Sequence, residues 1–174
     1  KPGQFVSVYT QDGGKLLPRP ISLCEIDKEK GALRLVYRVT GKHTGTEGFS
    51  RLGAGAQLDL LGPLGNGFPL EEAEGKKVFL MGGGIGVPPM LETMKQLHAQ
   101  KMAVLGYRDE LFLDKEFAKN GDVYIATEDG SAGTKGNVMD AIRENALEAD
   151  VIFACGPKPM LRAIKAYALE KGIP

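Results

Sequence analysis

The chain has 174 residues, 43% of them hydrophobic and 25% charged, enough for one large domain or two small ones with a core that needs no disulfides. Lys plus Arg and Asp plus Glu stand at 22 each, and this zero net charge argues against nucleic acid or an anionic membrane as a main partner. No apolar run approaches transmembrane length, residues 1–25 do not read as a signal peptide, and Cys24 and Cys155 form neither a metal motif nor a disulfide framework, so a reduced, cytoplasmic protein is expected.

In chain order, the first stretch alternates β-type runs with turns. "QFVSVYT" (4–10), "RPISLCEI" (19–26), "ALRLVYRVT" (32–40) and "AQLDLLGPLG" (56–65) are rich in Val, Ile, Leu and Tyr and are punctuated by Gly, Pro and Asp. That pattern predicts an antiparallel sheet or barrel. Gly45 and Thr46 open "EGFSRL", a short helix. The charged segment "LEEAEGKK" (70–77) marks a boundary, giving units of 1–73 and 74–174.

Strands and helices then alternate. "KKVFLMG" (76–82) precedes a helix over 87–99, and "MAVLGYR" (102–108) precedes "LDKEFAK" (113–119). "DVYIATE" (122–128) precedes "NVMDAIRENAL" (137–147), and "DVIFACG" (150–156) precedes "KPMLRAIKAYALEKG" (158–172). Repeated βα units predict a parallel sheet with covering helices. In the last helix Met160, Leu161, Ile164, Tyr167 and Ala168 share one face.

Three places could carry chemistry. Gly82, Gly83, Gly84, Ile85 and Gly86 lie between the first strand of the α/β half and its helix. A strand-to-helix turn without Cβ atoms lets a pyrophosphate approach backbone N–H groups at a helix N-terminus. Val87 stands where the usual dinucleotide fingerprint has its third glycine, so a turn that needs glycine for packing reads equally well. Cys155, Gly156 and Pro157 end a second strand in the same way, and two such edges define one crevice. Cys155 itself reads as a small buried hydrophobe.

In the front half, Arg19, Pro20, Ile21 and Ser22, then Val36, Tyr37 and Arg38, then Gly45 and Thr46 offer groups for a phosphate and an aromatic ring. Singly they read as a solvated edge arginine, a sheet aromatic and a helix cap. Their co-occurrence ahead of a βα half makes the functional case.

The order "KPGQF…RPIS…VYR…GT…GPLGNGF…GGGIGVPPM…CGPKPML" resembles the ferredoxin–NADP reductase superfamily and, within it, the electron-transfer subunits of dihydroorotate dehydrogenase B. The resemblance covers essentially the whole chain, and "LLGPLGNGF" (60–68) and "GGGIGVPPM" (82–90) are its most specific pieces. It implies an FAD-binding β-barrel, here lacking its leading strands, followed by an NAD-binding α/β domain. Arg19–Ser22, Val36–Arg38 and Gly45–Thr46 fall on the FAD motifs, and Gly82–Gly86 and Cys155–Pro157 on the NAD edge. Ser22 is implied near the flavin N5.

The resemblance further implies an FAD-dependent NAD oxidoreductase subunit. It would pass electrons between a catalytic dihydroorotate dehydrogenase subunit and NAD in pyrimidine biosynthesis, with no residue of its own acting as acid or base. Glu128 and Asp129 fall where relatives that use NADP carry a Ser-Arg pair, which favours NAD, with Lys135 as the nearby cation. A [2Fe–2S] cluster is implied after the last helix, but it takes four thiolates and this sequence has two cysteines. Two other readings stay open: a related reductase serving ferredoxin or a hydrogenase, and a non-catalytic nucleotide-binding redox sensor.

Overall fold

The computed structural model describes all 174 residues. Strands β1 (Phe5–Val8), β2 (Arg19–Asp27), β3 (Ala32–Leu35) and β4 (Leu60–Leu64) form an antiparallel sheet in the order β3-β2-β1-β4. Side-chain alternation along β1 and β2 turns Val6, Val8, Ile21 and Leu23 to one face, where they pack with Phe49 of helix α1 (Gly45–Ser50). The expected barrel is present as an open sheet, because β3 and β4 have one strand neighbour each. Leu60 and Leu61 on β4 are exposed.

"ALRLVYRVT" does not form one continuous strand. The β2–β3 ladder ends with Leu23 opposite Leu35, next to a bulge between Leu23 and Glu25. Val36–Arg38 lie just beyond it as irregular chain. The physical reason is a change of packing partner. Leu35 and Tyr37 pack on the small core under α1, whereas Val36 packs against the larger core of the second half.

Strands β5 (Lys77–Gly83), β6 (Gln100–Tyr107), β7 (Asp122–Thr127), β8 (Thr134–Lys135) and β9 (Val151–Cys155) form a parallel sheet in the order β8-β7-β6-β5-β9. Strand β8, two residues long, is not foreseen by the apolar pattern. The central β5 shows why "VFLM" reads as a continuous apolar run: both its faces are covered. Val78 and Leu80 join the core beneath helix α2 (Val87–Gln96), where Phe117 of α3 (Asp114–Ala118) also packs. Phe79 and Met81 join the opposite core with α4 (Val138–Glu144) and α5 (Lys158–Lys171). At about 1.5–3 kcal/mol for each fully buried large side chain, these two layers are the main source of stability.

One helix bound needs correction. Helix α2 ends at Gln96 rather than at residue 99, because Leu97 is extended and leads the chain into β6. The apolar stripe of α5 is only partly covered: Ile164 is buried, but Leu161 is 37% exposed. The helix packs beside the edge strand β9, so only part of its apolar face meets a neighbour.

The two sheets meet along β2. Below Leu23 its other face turns Cys24 into the large core with Val78, Leu80 and Met90. At the surface of this seam Glu25 pairs with Arg34 at 2.7 Å and with Lys95 of α2, and Arg34 also reaches Glu116 of α3 at 2.6 Å. Hydrogen bonds from Arg34 and then Lys95 hold the Glu25 carboxyl below its usual range, against burial. A lowered folded pKa contributes stability that is full above the unfolded value of about 4.3 and is lost as pH falls through the folded one. Glu25→Gln is therefore expected to cost roughly 1 kcal/mol at neutral pH, the scale of a part-exposed ion cluster, and less in acid. Thermal melts at pH 7 and pH 3 test this; equal losses at both would show that the charge is not what matters.

Candidate functional site

The carboxyl ends of β5, β6, β7 and β9 lie along one edge of the parallel sheet. The chain steps from β5 to β6 on one side and later returns to β9 on the other, so a crevice opens above the β5–β9 junction. The turn Gly84–Gly86 is one 3-10 turn that feeds directly into α2.

The four glycines here do different jobs. A Cβ on Gly82 would lie 2.8 Å from the Val87 Cα, and one on Gly83 would lie 2.3 Å from the Met160 sulfur. On Gly86 it would lie 2.1 Å from the Cys155 carbonyl oxygen and 2.7 Å from the Gly156 nitrogen. These three are glycines because the strand, the turn and the "CGP" edge are packed together. Gly84 differs: its φ is +52°, and its Cβ would meet only the Arg38 Nη2, at 3.7 Å. Of the two readings open in the sequence, packing explains three glycines and ligand access fits one.

The helix N-terminus offers an anion less than the turn suggests. The Val87 N–H donates to the Gly84 carbonyl, and Pro88 and Pro89 carry no N–H. Positive charge comes instead from two guanidiniums, with Asp109 and Glu110 also lining the first of the two cavities they share. Arg38 and Arg108 line two adjoining cavities of about 290 and 240 Å³, which also share Gly84 and Tyr107. The arginines engaged in ion pairs are Arg34, Arg51 and Arg143, so Arg38 and Arg108 are free. Val36, Tyr37, Ile85 and Phe112 give the first cavity apolar walls, and Ile85 is 47% exposed there. Gly83, Glu128, Asn137, Pro157 and Met160 line the second.

Glu128 and Asp129 part company. Glu128 lines the cleft, whereas Asp129 accepts the Ser131 N–H at 2.9 Å. Hydrogen bonds from Ser131, side chain first and then backbone, hold the Asp129 carboxyl below its usual range. Lys135 lies along Gly130 and is not part of the cleft wall. Cys155, half-buried at the end of β9, has its thiol pushed up by burial, so it stays protonated at neutral pH.

On the first sheet, Arg19 and Gly45 come together: a Cβ on Gly45 would lie 2.9 Å from the Arg19 Nε. Arg19 is half-buried there rather than freely solvated at an edge. Pro20 is exposed, Ile21 points into the small core and Ser22 is half-buried; none of the three lines the Arg38 cleft. Tyr37 stands edge-on to Phe49, with ring centres 5.8 Å apart. Thr46 is not the helix cap. Thr44 caps α1 by accepting the Glu47 N–H, and the buried Thr46 hydroxyl accepts the Thr40 N–H at 3.1 Å, tying down the loop between them.

No family model matches the chain. It is 48% identical over 179 aligned residues to the dihydroorotate dehydrogenase B (NAD(+)) electron transfer subunit of Geobacillus sp. (strain WCH70), covering 99% of this chain and 69% of that protein. The chain belongs to the family of dihydroorotate dehydrogenase B electron transfer subunits. The subunit of Bacillus caldolyticus is also 48% identical, with 94% of this chain and 66% of that one covered. The chain thus spans about two thirds of the length of these relatives. Among solved structures, an NADH-dependent reduced ferredoxin-NADP oxidoreductase matches with a TM-score of 0.85 at 31% identity, over 100% of this chain and 64% of that one. A flavohemoglobin from Malassezia yamatoensis with bound FAD and heme matches at 0.82 and 25%, over 100% and 49%. The expected fold, an antiparallel flavin-reductase sheet followed by a parallel nucleotide-binding sheet, is borne out.

Sequence reasoning missed Arg108. Its signal was present: it directly follows the apolar run of β6, the place that the glycine loop occupies after β5. Tyr107 beside it is buried, and its hydroxyl donates to the Phe112 carbonyl at 2.8 Å, which pins the loop that carries Arg108. The residues do not fit a [2Fe–2S] cluster: no group of three or more His, Cys, Asp or Glu could hold a metal, and Cys24 is sealed in the core.

No helix is long and apolar enough to cross a membrane.

Proposed function

We propose that these 174 residues are the FAD- and NAD(H)-binding part of a cytoplasmic electron-transfer subunit. They would relay electrons between NAD and a partner catalytic subunit that oxidises dihydroorotate. The observation that carries this reading is the meeting of Arg38, from the flavin-type motif, with Gly84, from the nucleotide loop, in one cleft. Two free guanidiniums and an uncrowded glycine suit pyrophosphate, and Tyr37 and Ile85 offer flat apolar surface for a ring. The bound cofactors supply the hydride chemistry, and the chain orients them and keeps water from the ring faces.

In this reading Arg19, Pro20, Ile21, Ser22, Val36, Tyr37, Arg38, Gly45 and Thr46 serve FAD, with Ile21 contributing backbone alone. Gly82–Gly86, Cys155–Pro157 and Glu128 serve NAD, and Asp129 supports the loop beside it. A protonated, half-buried Cys155 suits packing against a ring and not nucleophilic attack. Incubation with FAD should give a yellow protein that NADH bleaches under anaerobic conditions. A protein that takes up no flavin would defeat the proposal and favour a nucleotide-binding module.

The same site is expected to prefer NADH to NADPH. A carboxylate near a 2′-phosphate costs about 1 kcal/mol at 4 Å in water and about 4 kcal/mol at a surface-like dielectric. Even the smaller figure gives about fivefold discrimination. In the cavity that holds Asn137 and Pro157 the lining carboxylate is Glu128, and the lining cations are Arg38 and Arg108 rather than Lys135. kcat/KM for reduction of an artificial acceptor should favour NADH at least about fivefold, and Glu128→Gln should narrow the gap. If NADPH serves equally well in the wild type, the carboxylate argument fails, and Arg108 becomes the candidate phosphate partner.

A further inference from the structure

Helix α2 is buried at every residue from Val87 to Met94, and Glu92, among them, is only 3% exposed. Its carboxylate accepts the Ile26 N–H at 2.9 Å and a hydrogen bond from the Gln96 side chain. Burying a carboxylate is more costly than burying an apolar side chain of the same size, so stability alone does not account for it.

The partner explains the placement. The β1–β2 ladder runs only from Arg19 to Ser22, with one further bond from the Leu23 N–H to the Gln4 carbonyl. Past the bulge at Leu23–Glu25, β2 pairs with β3 alone. Ile26 therefore presents an amide where no neighbouring strand supplies an acceptor, and Glu92 supplies it from the other half of the molecule. No buried side-chain polar atom is left unsatisfied.

This bond ties together the two segments that carry the cofactor motifs. Ile26 lies four residues beyond Ser22 on the same strand, and Glu92 lies six beyond Gly86 on the helix that the glycine loop opens. Apolar contacts between β2 and α2 are non-directional and would tolerate sliding, whereas a carboxylate on one amide fixes the register. Lys95 on Glu25, one turn along, reinforces the seam at the surface.

We propose that Glu92 is a positioning residue: by holding the Ile26 amide it sets how far β2 and the glycine loop stand apart, and so the distance and angle at which the flavin and nicotinamide rings meet. This rests on the cofactor reading above. Ring geometry controls the rate of transfer steeply, while each cofactor's own contacts, and hence its affinity, lie elsewhere.

The test uses FAD-loaded wild type, Glu92→Gln, Glu92→Ala and Glu92→Leu, the last of which keeps the helix face filled and lacks the acceptor. Four quantities are read: the FAD and NADH dissociation constants, the limiting rate of flavin bleaching in anaerobic single turnover, the long-wavelength charge-transfer absorbance, and amide exchange at Ile26. Glu92→Ala and Glu92→Leu are expected to lose about tenfold or more in limiting rate and to weaken the charge-transfer band, with both dissociation constants within about threefold of wild type. Ile26 exchange should quicken by about tenfold. Glu92→Gln, whose carbonyl oxygen still accepts, should stay within about twofold on every measure. A wild-type limiting rate in Glu92→Leu overturns the proposal, as does a rate loss matched by equal losses in both affinities. A wild type that NADH does not bleach overturns the cofactor reading and this proposal with it. A bleached wild type with an unimpaired Glu92→Leu overturns this proposal alone.

Discussion

Gly86→Ala is expected to cost more than about 3 kcal/mol of stability and to abolish NADH binding, although it adds one methyl group. That Cβ would lie 2.1 Å from the Cys155 oxygen and 2.4 Å from the Cys155 carbon, and both are backbone atoms that no rotamer can move. Gly82 pairs with Cys155 across the β5–β9 ladder, so relief requires the turn to part from β9 just where the crevice opens. Overpacking costs about 1–3 kcal/mol when side chains can shift, and backbone on both sides puts this case at or above the top of that range. Gly84→Ala is the contrast. With its nearest neighbour at 3.7 Å it meets no clash, only the left-handed φ of +52°, a penalty of about 1–2 kcal/mol. It should fold and yet bind NADH poorly, because the methyl group stands in the cleft. Thermal melts and NADH titration of both variants separate the cases. A Gly86→Ala protein within about 1 kcal/mol of wild type would show that the turn and the "CGP" edge are not packed as described.

The second large effect concerns the two free arginines. Arg38→Ala should weaken FAD and NADH together, because its side chain belongs to the flavin-type motif and reaches the nucleotide loop. Arg108→Ala should weaken NADH more than FAD, because it follows β6 and lines the cavity with Gly83, Glu128 and Asn137 as well as the one with Tyr37 and Arg38. A hydrogen bond to a charged group contributes about 1.5–3 kcal/mol, which corresponds to roughly tenfold to 150-fold in affinity. Lysine at either position should recover only part of the loss, since a point charge cannot make the forked contact. FAD and NADH titrations of the four variants test this. If Arg38→Ala leaves NADH binding intact, the arginine serves one cofactor and the cleft is not shared.

Period-two and period-3.6 patterns, turn residues and glycine clusters are local, so the antiparallel half, the βα half and the glycine loop are legible in the chain itself. Even Arg108 was within reach, as the residue that directly follows β6. The sequence could not say why each glycine is there, because Gly83 and Gly86 answer to Met160 and to Cys155, which are some seventy residues away in the chain. It could not separate Glu128 from Asp129, neighbours whose roles differ because one carboxylate folds back on Ser131. Nor could it show that "VYR" leaves the strand, since that depends on Val36 finding its packing partners in the other half. Glu92 is the plainest case. In sequence it is an ordinary charge on a helix. Only the tertiary fold makes it a buried acceptor, by bringing the unpaired amide of Ile26 against it.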